Sequence, residues 1–278
     1  MNTTNILFLF FSFFGFQSIS EKTKNDYKLN PNTNGILVEV FDSTIADANR
    51  YNQNNTVYKV GNRFEYKFIH LTPNDKKKYF KINEDGNNWE FVDFDHADSA
   101  TIQSLIIEVA NGNPMAQIVP GYNQTNLMYK LKGGDAYEIS GAIENEGNLW
   151  IHPPREKYFE ILELNPFPYI KAPYEIGTKW TWNLEIGDQW ADERWKNWEG
   201  RIENKYQYEI TGQQAIKTDL GNLECYIIES NAKSSIGESG LIAYFNPKYG
   251  FVKLCYINID GSKTNIELTE HSENENGN

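Results

Sequence analysis

One eleven-residue segment occurs twice in this chain, and it constrains the fold more than any other feature of the sequence. The first copy is YKVGNRFEYKF at residues 58–68, and the second is YEIGTKWTWNL at residues 174–184. In both copies a glycine-centred turn leads into residues that alternate between aromatic and polar side chains. An alternation with a period of two is typical of an antiparallel strand that buries one face. The repeat therefore predicts two strands of the same kind, and it is consistent with an internal duplication.

Short apolar and aromatic runs separated by Gly- and Asn-rich turns continue through the rest of the chain. Such runs at short spacing are typical of antiparallel meanders. We therefore predict an all-β protein, built either as one open or half-closed barrel or as two similar packed β units, with at most one or two short helices.

One segment does not fit the strand pattern. Ile102, Leu105, Ile106 and Val109 follow the i, i+3, i+4, i+7 spacing of an amphipathic helix,. The spacing predicts a helix here, although the run LIIEVA within it could also form a strand.

The chain divides into six segments by composition. Proline is concentrated in the middle segment, where it removes backbone donors and disfavours interior strands,. We expect that segment to be an ordered strap whose aromatic residues pack against the β units. The predicted segments are a signal peptide (1–20), a flexible lead-in (21–34), a first β unit (35–148), a Pro-rich strap (149–173), a second β unit (174–269) and a disordered tail (270–278).

The N-terminus has the features of a secretory signal peptide. The apolar run ILFLFFSFFGF at residues 6–16 is shorter than the roughly 20 residues that a membrane-spanning helix needs,. Ser18 and Ser20 stand at the −3 and −1 positions of a cleavage site before Glu21,. We predict an exported protein, periplasmic or extracellular, with no transmembrane segment. No cysteine follows the cleavage site, so we expect no lipid anchor.

The charge balance argues against a nucleic-acid partner. The formal net charge is −12 and the pI is near 4.9, whereas phosphate binding requires clustered Lys and Arg,. The charges are scattered along the chain, and this pattern is typical of a solvated surface.

The two cysteines, Cys225 and Cys255, fall in predicted strands of one meander. Export permits a disulfide. A third predicted strand at residues 241–245 would separate them by two inter-strand spacings, roughly 9–10 Å, which is more than a disulfide tolerates. Two small buried thiols are the favoured interpretation, and a disulfide stays open.

The C-terminal third carries a recurring pattern of turns and core residues. A Y-x-[VI]-x-G strand is followed by a strand entered through a Gly turn, and then by a Y-x-x-x-x-x-G-x-V-K strand. This pattern resembles a module of exported bacterial β proteins, many of them uncharacterised, that is similar to the half-barrels of the lipoprotein-localisation carriers. The resemblance covers about residues 174–268 and implies a curved sheet with an apolar concavity that holds acyl chains. The matching residues are Tyr208, Ile210, Gly212, Gly221, Leu223, Cys225, Tyr244, Gly250, Val252 and Lys253.

A cluster of tryptophans interleaved with carboxylates is the most suggestive candidate site. Indole faces beside carboxylates suit the binding of sugar rings, and two carboxylates about 5–10 Å apart can cleave glycosides. Trp180 and Trp182 share one strand face, which favours the core for these two. Packing is the simpler interpretation of the whole cluster, and catalysis is the least favoured. The candidate ligand-binding residues are Trp190, Trp195, Trp198, Asp188 and Asp192.

Other catalytic signatures are missing from the sequence. The four histidines lack paired-ligand spacing, and neither a G-x-S-x-G motif nor a phosphate-binding loop is present,. We therefore predict no metal site and no cofactor. The tetrapeptide HPPR at residues 152–155 is expected to fix the strap, with Arg155 paired to a nearby carboxylate.

Together these features predict an exported, non-catalytic cell-envelope protein that binds a small apolar or amphipathic ligand in a β concavity. The first alternative is a carbohydrate-binding module that uses exposed tryptophans to hold a glycan. The second is a purely structural envelope protein, and the third is a hydrolase with carboxylates near Trp190.

Overall fold

The computed structural model describes residues 27–41, 48–119, 122–134 and 136–273. The predicted signal peptide (1–20) and the end of the predicted tail (274–278) lie outside the described residues. Strand β1 (Tyr27–Pro31) lies within the predicted lead-in and pairs with β2 (Leu37–Phe41) in a separate two-stranded sheet. This part of the predicted flexible lead-in is therefore regular structure. Residues 270–272 of the predicted disordered tail are regular structure as well, because they end the strand Lys263–Ser272.

Fourteen further strands form one antiparallel sheet. They are β3 (Arg63–Leu71), β4 (Lys77–Ile82), β5 (Trp89–Asp93), β6 (Ser104–Val109), β7 (Thr125–Lys132), β8 (Tyr137–Asn145), β9 (Asn148–Ile151), β10 (Tyr169–Lys171), β11 (Lys179–Gly187), β12 (Arg201–Thr218), β13 (Gly221–Ser234), β14 (Gly237–Asn246), β15 (Gly250–Ile257) and β16 (Lys263–Ser272).

Helical structure is confined to short 3₁₀ segments in the described part of the chain. They are Arg50–Asn52, Phe94–His96, Pro114–Gln117, Lys157–Leu164 and Asp188–Trp190. No helix among the described residues has the length and apolar character needed to cross a membrane.

The sheet consists of two meanders joined along one edge. Its strand order is β10-β9-β8-β7-β6-β3-β16-β15-β14-β13-β12-β11, and the β4–β5 hairpin branches from β3. The pairing of β3 with β16 joins the meanders. At the two ends of the sheet, the ring of Tyr169 on β10 lies 5.5 Å from that of Trp180 on β11. The result is a nearly closed antiparallel barrel, so the prediction of an all-β, half-closed barrel is confirmed.

The repeated segment forms the same local structure twice. Gly61 and Gly177 adopt φ values of 91° and 92°, a region that favours glycine,. The Gly61 amide donates to Val109 O at 2.8 Å, and the Gly177 amide donates to Ile210 O at 2.7 Å. Each copy opens one of the two meanders, but β3 lies in the middle of the sheet and β11 at its end. The internal duplication stays a prediction.

The helix predicted around residues 102–109 is wrong, and the strand alternative is the observed structure. Within β6, Leu105, Ile107 and Val109 are buried while the residues between them are half-buried. Ile102 is buried before the strand begins, where it forms a bridge to Phe80. Ile102 added an apolar position ahead of the strand, and with this position the spacing of apolar residues resembled that of a helix.

Both ends of the predicted Pro-rich strap lie in the sheet, and β9 is an interior strand because it pairs with β8 and β10, so the expectation of no interior strand is wrong there. Proline is absent from β9 itself, and the Pro-rich part between β9 and β10 packs inside the barrel. Its central part is the 3₁₀ segment Lys157–Leu164, which contacts both meanders. The ring of Phe159 lies 5.1 Å from Phe68, and the ring of Phe167 lies 5.4 Å from Trp182. The aromatic residues predicted to pack are all buried, namely Trp150, Tyr158, Phe159, Phe167 and Tyr169.

Barrel side chains hold the strap by its backbone carbonyls. Tyr129 Oη donates to His152 O at 2.7 Å, and Tyr208 Oη donates to Phe167 O at 3.0 Å. Leu164 O accepts from two strands of the second meander, through Asn204 Nδ2 and Ser239 Oγ. Because buried carbonyls need partners, these bonds fix the strap as part of the core.

The two cysteines are free thiols, with β14 between their strands as predicted. Burial raises the pKa of both thiols, and that of Cys225 reaches about 11.

Candidate functional site

The predicted tryptophan site forms the loop between β11 and β12, and this loop packs against the β4–β5 hairpin. Trp195 is 8% exposed, and its ring lies parallel to that of Trp89 on β5, with centroids 6.4 Å apart. Its Nε1 donates to Trp190 O at 3.2 Å. Trp190 and Trp198 are half-buried. Trp195 is thus a packing residue, whereas Trp190 and Trp198 each keep part of their surface exposed.

The two predicted carboxylates hold this loop together. Asp188 Oδ2 accepts the Gly200 amide at 2.8 Å. Asp192 forms an ion pair with Arg194, whose guanidinium lies 4.0 Å from the centre of the Trp89 ring. The loop therefore brings the predicted residues together, but it uses their indole faces and carboxylates for internal contacts. A ligand platform at this loop stays a prediction.

Sequence reasoning missed a buried polar cluster between the strap and β8. Arg155 N donates to Glu138 Oε2 at 2.8 Å, and Arg155 Nε lies 3.9 Å from Glu138 Oε1. This pairing confirms the carboxylate partner predicted for Arg155. The second carboxylate of the cluster is Glu163, whose Oε1 lies 3.3 Å from His152 Nε2.

Burial controls the protonation of this cluster. It lowers the pKa of His152 to about 3, with help from the charge of Arg155, and raises that of Glu163 to about 8,. His152 Nδ1 lies 2.8 Å from Pro153 O, which can only accept, so Nδ1 carries the proton,. Nε2 is then an acceptor, and it accepts from Arg155 Nη1 at 3.5 Å. The cluster fixes the strap against β8, with both carboxyl groups buried and the Arg155 side chain partly exposed.

The barrel interior leaves almost no room for a ligand. The void beside the strap measures about 10 Å³ and is lined by Tyr66, Tyr129, Pro153 and other apolar neighbours. A single water needs at least that volume. The apolar concavity that the resemblance implies is filled by the protein's own strap.

An open groove of about 790 Å³ lies on the outer face of the second meander. It follows two rows of outward-facing residues that the register aligns across the strands. The first row is Lys179, Glu209, Glu229 and Ile242, and the second is Thr181, Gln207, Asn231, Gly240 and Ile257.

The second row forms the floor of the groove and carries its polar side chains that make no hydrogen bond within the described protein. Gly240 has no side chain, so the row is lowest at β14. Among the described residues, the side chains of Thr181, Gln207 and Asn231 form no hydrogen bond with the protein. Their donors and acceptors are therefore open to a ligand.

The strand pattern alone places these side chains on the outer face, because they alternate with buried neighbours such as Trp180 and Tyr208. The sequence does not show the register between the strands, and this register aligns residues from five strands in one row. No cluster of three or more His, Cys, Asp or Glu positioned to hold a metal occurs in the described ranges.

No protein-family model matches the chain, and no curated protein matches it. Three solved structures are remotely similar. A candidate lipoprotein from Parabacteroides distasonis is 11% identical, with a TM-score of 0.44, and the match covers 79% of this chain and 100% of that one. A candidate exported protein with a YmcC-like fold from Bacteroides fragilis is 10% identical, with a TM-score of 0.38 and coverage of 77% and 97%. The hypothetical lipoprotein YmcC from Escherichia coli is 7% identical, with a TM-score of 0.34 and coverage of 74% and 84%.

At these identities no residue role transfers from the three structures to this chain. The specific resemblance to the lipoprotein-localisation carriers and the absence of a lipid anchor both stay predictions.

Proposed function

We propose that this chain is an exported, non-catalytic cell-envelope protein that binds an amphipathic ligand in the groove on the outer face of β11–β15. The observation that carries the proposal is the volume of this groove, which exceeds both that of the interior void and that of a cleft of about 460 Å³ between Ile82 and Lys157. The interior void holds about 10 Å³, whereas the outer groove holds about 790 Å³. Small-molecule sites typically occupy about 300–1,000 Å³.

The composition of the groove supports an amphipathic ligand. Polar side chains line it on β11 to β13, and the aliphatic side chains of Ile242 and Ile257 line it on β14 and β15. Ile257 is 50% exposed and lies in the same groove as Ile242. A ligand with a polar part and a small apolar part would cover both regions.

An apolar ligand inside the barrel is disfavoured by the contacts of the strap. To admit such a ligand, the protein would have to expel Phe159 and Leu162, which are fully buried, and break the bonds to the strap carbonyls. Burying a large apolar side chain contributes about 1.5–3 kcal/mol, so the expulsion would cost several such contributions.

Native mass spectrometry of the protein released from its own host's envelope tests the proposal. We expect a bound adduct on the parent protein and its loss in Gly240→Leu. A Cβ at Gly240 would meet only ordinary contacts, 3.5 Å from Ser230 O and 3.9 Å from Ile257 Cβ, so the variant should fold while its side chain fills the groove. The matched control is Lys205→Leu, an outward-facing position on β12 outside the groove. A bare parent protein, or an adduct that survives Gly240→Leu, would reject the groove.

A further inference from the structure

We propose that the ligand of the groove is an uncharged glycan segment that lies across strands β11 to β15. This inference rests on the proposed function and specifies the chemical class of its ligand. It differs from the tryptophan-based carbohydrate module predicted from the sequence, because it uses hydroxyl and carboxamide groups on the sheet instead of indole rings.

The uncommitted groups of the groove are the kind that recognise hydroxyl groups. Gln207 and Asn231 each present a carboxamide with both donors and an acceptor, and Thr181 presents a hydroxyl,. A sugar hydroxyl also donates and accepts, so each of these side chains can bond to it in either direction. An acyl chain would leave all three groups without partners, at a cost for each polar group that loses water.

The charged groups of the groove already have partners within the protein. Lys179 Nζ lies 3.2 Å from Glu209 Oε2, and Glu229 Oε1 accepts the Thr211 hydroxyl at 3.3 Å. Glu209 and Glu229 are also direct neighbours across β12 and β13. An anionic ligand would approach two carboxylates and a chain of net charge −12, so an uncharged ligand is favoured,.

The apolar part of the groove is too small for a lipid tail. Its apolar side chains that are not buried are Ile242 and Ile257, beside the open floor at Gly240. The other apolar residues of the lining are buried, namely Trp180, Tyr208 and Leu241. Two aliphatic side chains of this size suit the C–H face of one sugar ring. The groove crosses five strands, which corresponds to about 19 Å at about 4.8 Å between neighbouring strands. That length favours an extended chain over a single monosaccharide.

Titration calorimetry with two probes tests the inference. The first probe is the delipidated polysaccharide fraction of the host's own envelope, and the second is vesicles made from its lipid extract. We expect the parent protein to bind the polysaccharide and not the vesicles. The double variant Gln207→Ala/Asn231→Ala should lose at least about tenfold in affinity, because each lost hydrogen bond is worth about 1 kcal/mol. Lys205→Ala should bind like the parent protein.

The outcomes separate this inference from the proposed function. Binding of the vesicles alone, with loss in Gly240→Leu, would keep the groove as the site and reject the glycan. If the polysaccharide binds the parent protein and not Gly240→Leu, but binds Gln207→Ala/Asn231→Ala with unchanged affinity, the carboxamides do not contact the glycan and the inference is rejected. If the polysaccharide binds the parent protein and Gly240→Leu equally, the groove is not the glycan site. Failure of the parent protein to bind either probe would reject both proposals.

Discussion

Glu163 illustrates how burial sets the chemistry of one residue. Its carboxyl group lies inside the barrel beside His152, and burial raises its pKa to about 8. In the unfolded chain the same group has an ordinary pKa near 4.3. The folded state therefore favours the protonated form. Its contribution to stability is complete below the unfolded pKa and is lost as the pH rises through about 8.

We expect Glu163→Gln to remove this pH dependence. Between pH 6.5 and 8.5 the free energy of unfolding of the parent protein should fall by up to about 1.4 kcal/mol per pH unit more than that of the variant. The histidines of the barrel do not affect this window, because burial lowers the pKa values of His70 and His152 to about 4 and about 3. Burial raises the pKa of Glu138 to about 7, so Glu138 titrates in the window in both proteins, and only the difference between them reports Glu163. Urea unfolding at a series of pH values measures the difference. The control Glu193→Gln, on the exposed part of the tryptophan loop, should follow the parent protein. Parallel profiles for Glu163→Gln and the parent would contradict the assignment.

Trp195 is a second residue whose role depends on burial. Its indole packs against Trp89 on β5, and the Arg194 guanidinium covers Trp89. Trp195→Ala should therefore cost about 3–5 kcal/mol in the free energy of unfolding. Trp190→Ala, which removes a half-buried ring from the same loop, should cost less. If Trp195→Ala left stability unchanged but abolished retention on a polysaccharide column, the residue would belong to a ligand platform.

At the scale of elements, the strap determines what the barrel can hold. Proline content correctly set this segment apart from the meanders, but composition could not say on which side of the sheet it lies. An apolar segment can pack on the outer face of a sheet as well as on its inner face, so composition does not distinguish the two. Only the closure of the sheet, with Tyr169 against Trp180 and Phe167 against Trp182, creates the interior that the strap fills.

Phe159→Ala tests whether the strap is core or a movable lid. The Phe159 ring is fully buried and lies 5.1 Å from Phe68 and 5.8 Å from Phe80. We expect a loss of about 3–5 kcal/mol in the free energy of unfolding, measured in urea. Phe94→Ala is the matched control, because its ring is 41% exposed and should contribute far less. A lid that opens independently of the barrel would instead leave global stability close to that of the parent protein.

The burial pattern of each element explains which elements the sequence predicted correctly. Alternation identified β3 and β11 directly, because a single buried face produces a period of two,. It failed at β6, where Ile106 is only half-buried and Ile102 belongs to a bridge outside the strand. The period of a sequence reflects which individual residues are apolar. Apolar residues of an adjacent segment can therefore make a strand look like a helix.

At the scale of the whole molecule, the decisive contact joins residues about 200 positions apart. β3 and β16 pair over nearly their full lengths, with Ile266 opposite Phe68. Such long-range pairing leaves no local signature, so the sequence allowed both one barrel and two separate units. For the same reason, alternation places polar residues of the segment 174–184 such as Thr181 opposite its aromatic face, but it does not reveal the rows that form the groove. The register between distant strands supplies that information.

A continuous sheet predicts that a defect at the junction weakens both meanders together. Ile266 is 2% exposed and lies between Leu254 on β15 and Phe68 on β3. Ile266→Ala should cost about 2–5 kcal/mol, whereas Ile257→Ala, at a position 50% exposed, should stay within about 0.5 kcal/mol of the parent protein,. Native-state hydrogen exchange should then record the same loss of protection in β7 of the first meander and β13 of the second, because one cooperative unit opens as a whole. A loss confined to β13, with β7 unchanged, would mean that the meanders are separate folding units despite the shared sheet.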